Sequence, residues 1–148
     1  MIYIGGLFPA APQRRDEHFY EFNMHENEIS EKILDCCLKI HRILGPGLFE
    51  SVYEEILAYE LSEKNLKFEG QKVIPLRYAR LTFNFGFRLD FFVEKKVILE
   101  LKSVESILPI RKKQLLTYLK MTNCKLGFSI NFNSTLMKNG ILRTVNNL

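Results

Sequence analysis

Arg88-Leu89-Asp90-Phe91-Phe92-Val93, then Glu94-Lys95-Lys96, then Val97-Ile98-Leu99-Glu100-Leu101-Lys102 is the stretch that decides how this chain folds. Both outer runs are rich in Val, Ile, Leu and Phe and read as strands, and the charged break between them reads as the connecting turn. Side chains alternate across a strand, so Arg88 and Asp90 are expected on one face, and Glu100 and Lys102 on one face of the next strand. Two carboxylates and an ammonium then meet on one side of a sheet. A hard divalent cation such as magnesium requires paired carboxylates, and a neighbouring lysine can orient or activate a water. The pattern points to metal-assisted hydrolysis of a phosphodiester.

Working outward, Ile29, Ile33, Cys36, Cys37, Ile40, Ile43 and Leu44 recur at helical spacing, with Asn27 as N-cap and Gly45-Pro46-Gly47 as terminator. A second helix is predicted from about Leu48 to Asn65, which sets Glu50 at the start of an apolar stripe through Tyr53, Leu57 and Leu61. Val73 to Tyr78 and Leu81 to Val93 read as strands before Val97 to Lys102, an antiparallel meander in which Pro75 marks an edge or bulge. Pro109 opens a third helix through about Thr122, with Gln114 and Tyr118 at i and i+4. Lys125 to Phe132 reads as a further strand, and Gly140 to Val145 as a last short one. The order predicts an α/β sandwich with a mixed sheet.

A length of 148 residues with 47% hydrophobic content is enough for one domain with a real core. Residues 1–25 lack either period and read as an irregular N-terminal tail, leaving 26–148 as a single domain. Cys36, Cys37 and Cys124 form no CxxC pair and His18, His25 and His41 have no ligand spacing, so a zinc site is disfavoured and buried thiols in a reducing compartment are expected. No apolar run approaches a membrane span, and Met1 to Ala11 lacks a basic n-region, so a cytoplasmic protein without membrane association is the expectation. The net charge of +4 is unevenly spread: from Glu94 onward ten Lys and Arg face three acids, whereas the first 93 residues carry eleven against fourteen. A basic second half suits a polyanion, though solvated helix and turn lysines would produce the same count.

Gly47-Leu48-Phe49-Glu50-Ser51-Val52-Tyr53 is a GxxExxY motif, and the chain resembles the GxxExxY protein family of the PD-(D/E)XK nuclease-like (restriction-endonuclease-like) superfamily. The resemblance continues through Gly86-Phe87-Arg88-Leu89-Asp90, Glu100-Leu101-Lys102, Gln114 to Leu119 and Ile130-Asn131-Phe132, and covers roughly Glu26 to Leu148. It implies an α-β-β-β-α-β core with one additional N-terminal helix. It also implies that Asp90 and Glu100 ligate magnesium or manganese, with the Leu101 backbone carbonyl and Glu50 as further ligands, and that Lys102 positions the attacking water. Gln114 would orient water, lysine or phosphate, and Tyr118 would donate to a phosphate. The segment from Tyr78 to Phe85 departs from the family pattern in lacking a glycine-containing turn. Residues 1–23 precede the resemblance and read as an upstream extension or a misassigned start, with Met24 where such a protein would begin.

Singly, these residues have ordinary explanations: Glu50 as a first-turn acid answering the helix dipole, Glu100 with Lys102 as a surface ion pair, Tyr53 and Tyr118 as core tyrosines. Together they place acids and a lysine on apolar elements, which is costly unless the charges are paired or bind metal. Arg88, on the strand face of Asp90, can hold a carboxylate or contact substrate. Arg111, Lys112 and Lys113 open the third helix, where cations are unfavourable unless an anion lies near. Two functions follow, with metal-dependent hydrolysis of another phosphate compound as a third, since nothing in the motif itself names the ester. One is a magnesium- or manganese-dependent nuclease cutting DNA or RNA with Glu50, Asp90, Glu100, Lys102 and Gln114. The other is a non-catalytic nucleic-acid-binding or regulatory protein on the same fold, working with a protein partner or as a homo-oligomer.

Overall fold

A computed structural model describes residues 23–148. The tail expected over residues 1–25 therefore lies almost wholly outside the described residues. The chain runs α1 (Glu26–Leu44), α2 (Glu50–Glu63), β1 (Phe68–Tyr78), β2 (Leu81–Val93), β3 (Val97–Lys102), α3 (Pro109–Thr122), β4 (Leu126–Asn131), α4 (Met137–Gly140) and β5 (Ile141–Val145). The strands form one mixed sheet in the order β1-β2-β3-β4-β5, in which only β3 and β4 are parallel. This is the predicted α-β-β-β-α-β core behind an extra helix. α3 is the crossover that a parallel pair requires.

Two apolar clusters sandwich the sheet. Ile29, Ile33, Ile40, Tyr53, Leu57 and Leu61 of α1 and α2 pack on Phe91, Val93, Val97, Leu99, Leu101 and Phe128. On the opposite face Leu115 and Leu119 of α3 cover Leu89 and Ile98. β4, sandwiched between helices, is buried along its whole length, as a central strand covered on both faces should be.

Element ends differ from the sequence reading where side chains intervene. α1 is capped by His25 instead of Asn27, because the His25 ring accepts the Asn27 backbone N–H at 3.2 Å. α2 begins two residues later than predicted: the Leu48 N–H donates to the Tyr53 hydroxyl and its carbonyl accepts from Ser103, which holds Leu48 outside the helix. β1 starts at Phe68, since that ring meets Phe91 edge-on at 5.5 Å. Pro75 lies where the β1–β2 register shifts, and β1 is an edge strand, as its missing donor demands. The hairpin closes through Ala79-Arg80 without glycine, with Ala79 at φ 51°.

Candidate metal centre

The pairing of β2 with β3 runs only from Val93↔Val97 to Phe91↔Leu99, after which the two strands part. Leu101 is thereby left with a backbone N–H that no strand neighbour takes. Asp90 takes it: Leu101 N–H donates to Asp90 Oδ2 at 2.8 Å, a charge-assisted bond replacing a ladder bond. In a strand the N–H and C=O of one residue point toward the same neighbour, so the Leu101 carbonyl faces the same gap. The parting of β2 from β3 is what opens space between two strands that would otherwise be zipped shut.

It also corrects the predicted face pattern. Leu89 packs in the cluster beneath α3, while Phe91 and Val93 pack in the opposite cluster, so strict alternation breaks at Asp90. Arg88, expected to share a face with Asp90, is exposed, and among the described residues it forms no ion pair with the carboxylates. Glu100 and Lys102 keep the face of Ile98, toward α3.

The carboxylates crowd together. Burial, and then the Asp90 charge, push the Glu100 carboxyl up to about 8 against the opposing pull of Lys102. Glu100 Oε1 is buried and has no hydrogen-bond partner among the described residues. Glu50, first residue of α2, enters from the other layer: burial raises its carboxyl, Lys102 opposes this, and Asp90 and Glu54 add to it. Lys102 thus acts on both glutamates, yet it lies within 4.0 Å of no carboxylate among the described residues. An isolated surface ion pair with Glu100 is not what it forms.

On α3, Arg111 donates to Gln114 Oε1 at 3.1 Å, and Gln114 Nε2 donates to the Tyr118 hydroxyl. The Tyr118 ring stacks on Phe87 at 4.2 Å, and burial and then Glu100 raise its hydroxyl pKa. Gln114, Arg111, Lys112 and Lys113 are all exposed on this helix. Tyr53 has a structural duty. Its buried hydroxyl donates to the Gly45 carbonyl at 2.6 Å and its ring stacks on Phe132 at 4.6 Å, pinning the loop that delivers Glu50.

Two residues that sequence reasoning missed complete the cluster. Gln71 donates through Nε2 to Glu54 and, at 3.4 Å, to Asp90 Oδ1. It does so from φ 51°, a left-handed conformation for a residue within a strand, and such strain persists where surrounding structure enforces it. Glu54 was findable, standing one helical turn after Glu50; nothing in the sequence flags Gln71.

The sequence model of the PD-(D/E)XK nuclease superfamily matches residues 27–144. The chain belongs to that superfamily. No curated protein and no solved structure matches it. For a PD-(D/E)XK domain the relevant fit is to a divalent ion. Among the described residues no three His, Cys, Asp or Glu side chains are gathered as a ready-made cage. Magnesium does not need one, since it keeps several waters and takes one or two carboxylates plus substrate phosphates. Asp90, the unpartnered Glu100 Oε1 and the Leu101 carbonyl are oxygen donors of that kind. A polar cleft of about 500 Å³ between the β3–α3 loop and α4, lined in part by Glu105, Ser134 and Asn139, holds no comparable carboxylate pair. No helix among the described residues is long and apolar enough to cross a membrane.

Proposed function

We propose that this PD-(D/E)XK domain is a magnesium- or manganese-dependent nuclease hydrolysing phosphodiester bonds in DNA or RNA. The observation that carries the reading is the crowding of Asp90 and Glu100 in the gap between β2 and β3, with a buried Glu100 oxygen left without a partner among the described residues. Like charges held this close are unfavourable for folding alone, and a cation relieves them. Asp90, Glu100 and the Leu101 carbonyl would hold the ion, with Glu50 as a further ligand. Bound there, it would offset phosphate charge and acidify a water.

The chain's own groups divide the remaining work. Lys102, acting on both Glu50 and Glu100, opposes the upward shift of their carboxyls and offsets the charge that builds on the phosphate. Asp90 is held in orientation by the Leu101 N–H and Gln71. Gln114 and Tyr118 supply donors at the α3 wall, and Arg111, Lys112 and Lys113 present exposed cations to a polyanion. Arg88 contributes at the periphery by touching substrate.

The test incubates purified protein with labelled single- and double-stranded DNA and RNA in magnesium, manganese or chelator. Metal-dependent cleavage is expected, reduced at least about a hundredfold in Lys102→Ala and Asp90→Ala. Equal residual activity in both variants would mean contamination. Binding without cleavage in any metal would favour the non-catalytic nucleic-acid-binding reading.

A further inference from the structure

β2 leaves β3 at Phe91, so the part of the β1–β2 hairpin before it continues as a two-stranded arm with no third strand among the described residues. A two-stranded ribbon is marginal unless something packs on it. The arm is apolar on one side. Opposite residues of an antiparallel pair share a face, which joins Leu76 with Phe83 and Tyr78 with Leu81. Phe83 meets Phe85 edge to face at 6.1 Å. These rings are open to solvent, Tyr78 73% and Phe85 81% exposed. At its root the same row reaches Phe87, stacked on Tyr118 beside Glu100.

Charge identifies the occupant. Between Gly70 and Leu89 the chain carries Lys72, Arg77, Arg80 and Arg88 and no acid. A second copy of this chain meeting the arm face to face would oppose like charges. A polyanion would not. Aromatic faces beside arginines suit nucleic-acid bases, and a base offers its flat face only when unpaired. We propose that the arm holds an unpaired nucleic-acid strand, its bases stacked on Tyr78, Phe83 and Phe85, its phosphates met by Arg80 in the turn and, where the strand passes the open β1 edge, by Arg77 of the reverse face, and leads that strand to the Asp90–Glu100 centre. The proposal rests on the nuclease reading for its substrate, and adds single-strandedness.

Fluorescence anisotropy in chelator, with labelled single-stranded and duplex oligonucleotides of one sequence, tests it. The wild type binds the single strand more tightly, and Phe83→Ala/Phe85→Ala weakens single-strand binding by about tenfold or more while leaving weak duplex binding unchanged. Arg77→Ala/Arg80→Ala lowers the salt dependence by about 0.7 in log–log slope for each phosphate that is no longer neutralised. Both variants hydrolyse bis(4-nitrophenyl) phosphate, a diester too small to span the arm, at the wild-type rate with manganese. Equal single-strand affinity in wild type and aromatic variant overturns the proposal, as does a defect confined to self-association in sedimentation velocity. A wild type that cleaves neither the small diester nor any oligonucleotide overturns the nuclease reading instead, while the anisotropy comparison still decides the arm.

Discussion

Glu100 concentrates the chemistry into one titration. Its carboxyl is raised from 4.5 to about 8 by burial and by Asp90, with Lys102 opposing and Tyr118 facing it from α3. Between those values the folded protein keeps a proton that the unfolded chain has released. Stability of the metal-free protein is therefore fully present below about pH 4.5 as far as this group is concerned, and falls as pH rises toward 8. The loss should be on the order of 5 kcal/mol. Urea titrations in chelator check this: Glu100→Gln should remove most of the decline, whereas an unchanged slope would assign it elsewhere. Gln71 makes the complementary case. Gln71→Gly removes the cost of φ 51° and also the amide that bridges Glu54 and Asp90. Its melting temperature should hold or rise while metal-dependent cleavage drops by roughly tenfold to a hundredfold, the range for losing a group that orients a metal ligand.

At the scale of elements, β2 runs from the two-stranded arm into the five-stranded sheet, which it joins at Phe91, and Gly86 lies within the arm where the β1–β2 register shifts. A Cβ there would stand 2.5 Å from Leu76 Cβ and 2.9 Å from the Ile74 carbonyl, so the register shift opposite Pro75 needs a residue without one. Gly86→Ala is expected to destabilise by about 1–3 kcal/mol through displacement of β1. Chemical denaturation measures it, and a neutral result would show that the arm yields freely. The strands and α3 were legible because their apolar runs and the Pro109 start are local signals. The helix starts were less so, since His25 and Tyr53 capture backbone groups that propensity assigns to the helices. The place of the turn at Ala79-Arg80 was legible from the strand ends at Tyr78 and Leu81, but its conformation was not, because a non-glycine residue accepts φ 51° only when the strands on both sides are already paired.

In the molecule as a whole, binding and folding are linked through the same carboxylates. A divalent ion that binds only the folded chain stabilises it, by about 2.7 kcal/mol at a hundred times its Kd, or roughly 5–10 °C in melting temperature. Manganese should produce this shift at pH 8 and a smaller one at pH 6, because Glu100 must first lose its proton. Asp90→Asn should abolish it at both, and a shift surviving in that variant would place the ion elsewhere. By itself the sequence determined the α/β class and the order of the elements other than α4, and it singled out Glu50, Asp90, Glu100, Lys102 and Gln114 as candidates, since hydrophobic period and motif spacing are properties of the linear chain. Only the tertiary structure decided that β2 departs from β3 at Phe91, that Asp90 fills the vacated hydrogen bond, and that Gln71 and Glu54 join the cluster while Arg88 turns outward. The physical reason is that alternation assumes a regular strand. Where pairing ends, faces are set by which backbone groups still need partners, and those partners come from residues distant in sequence.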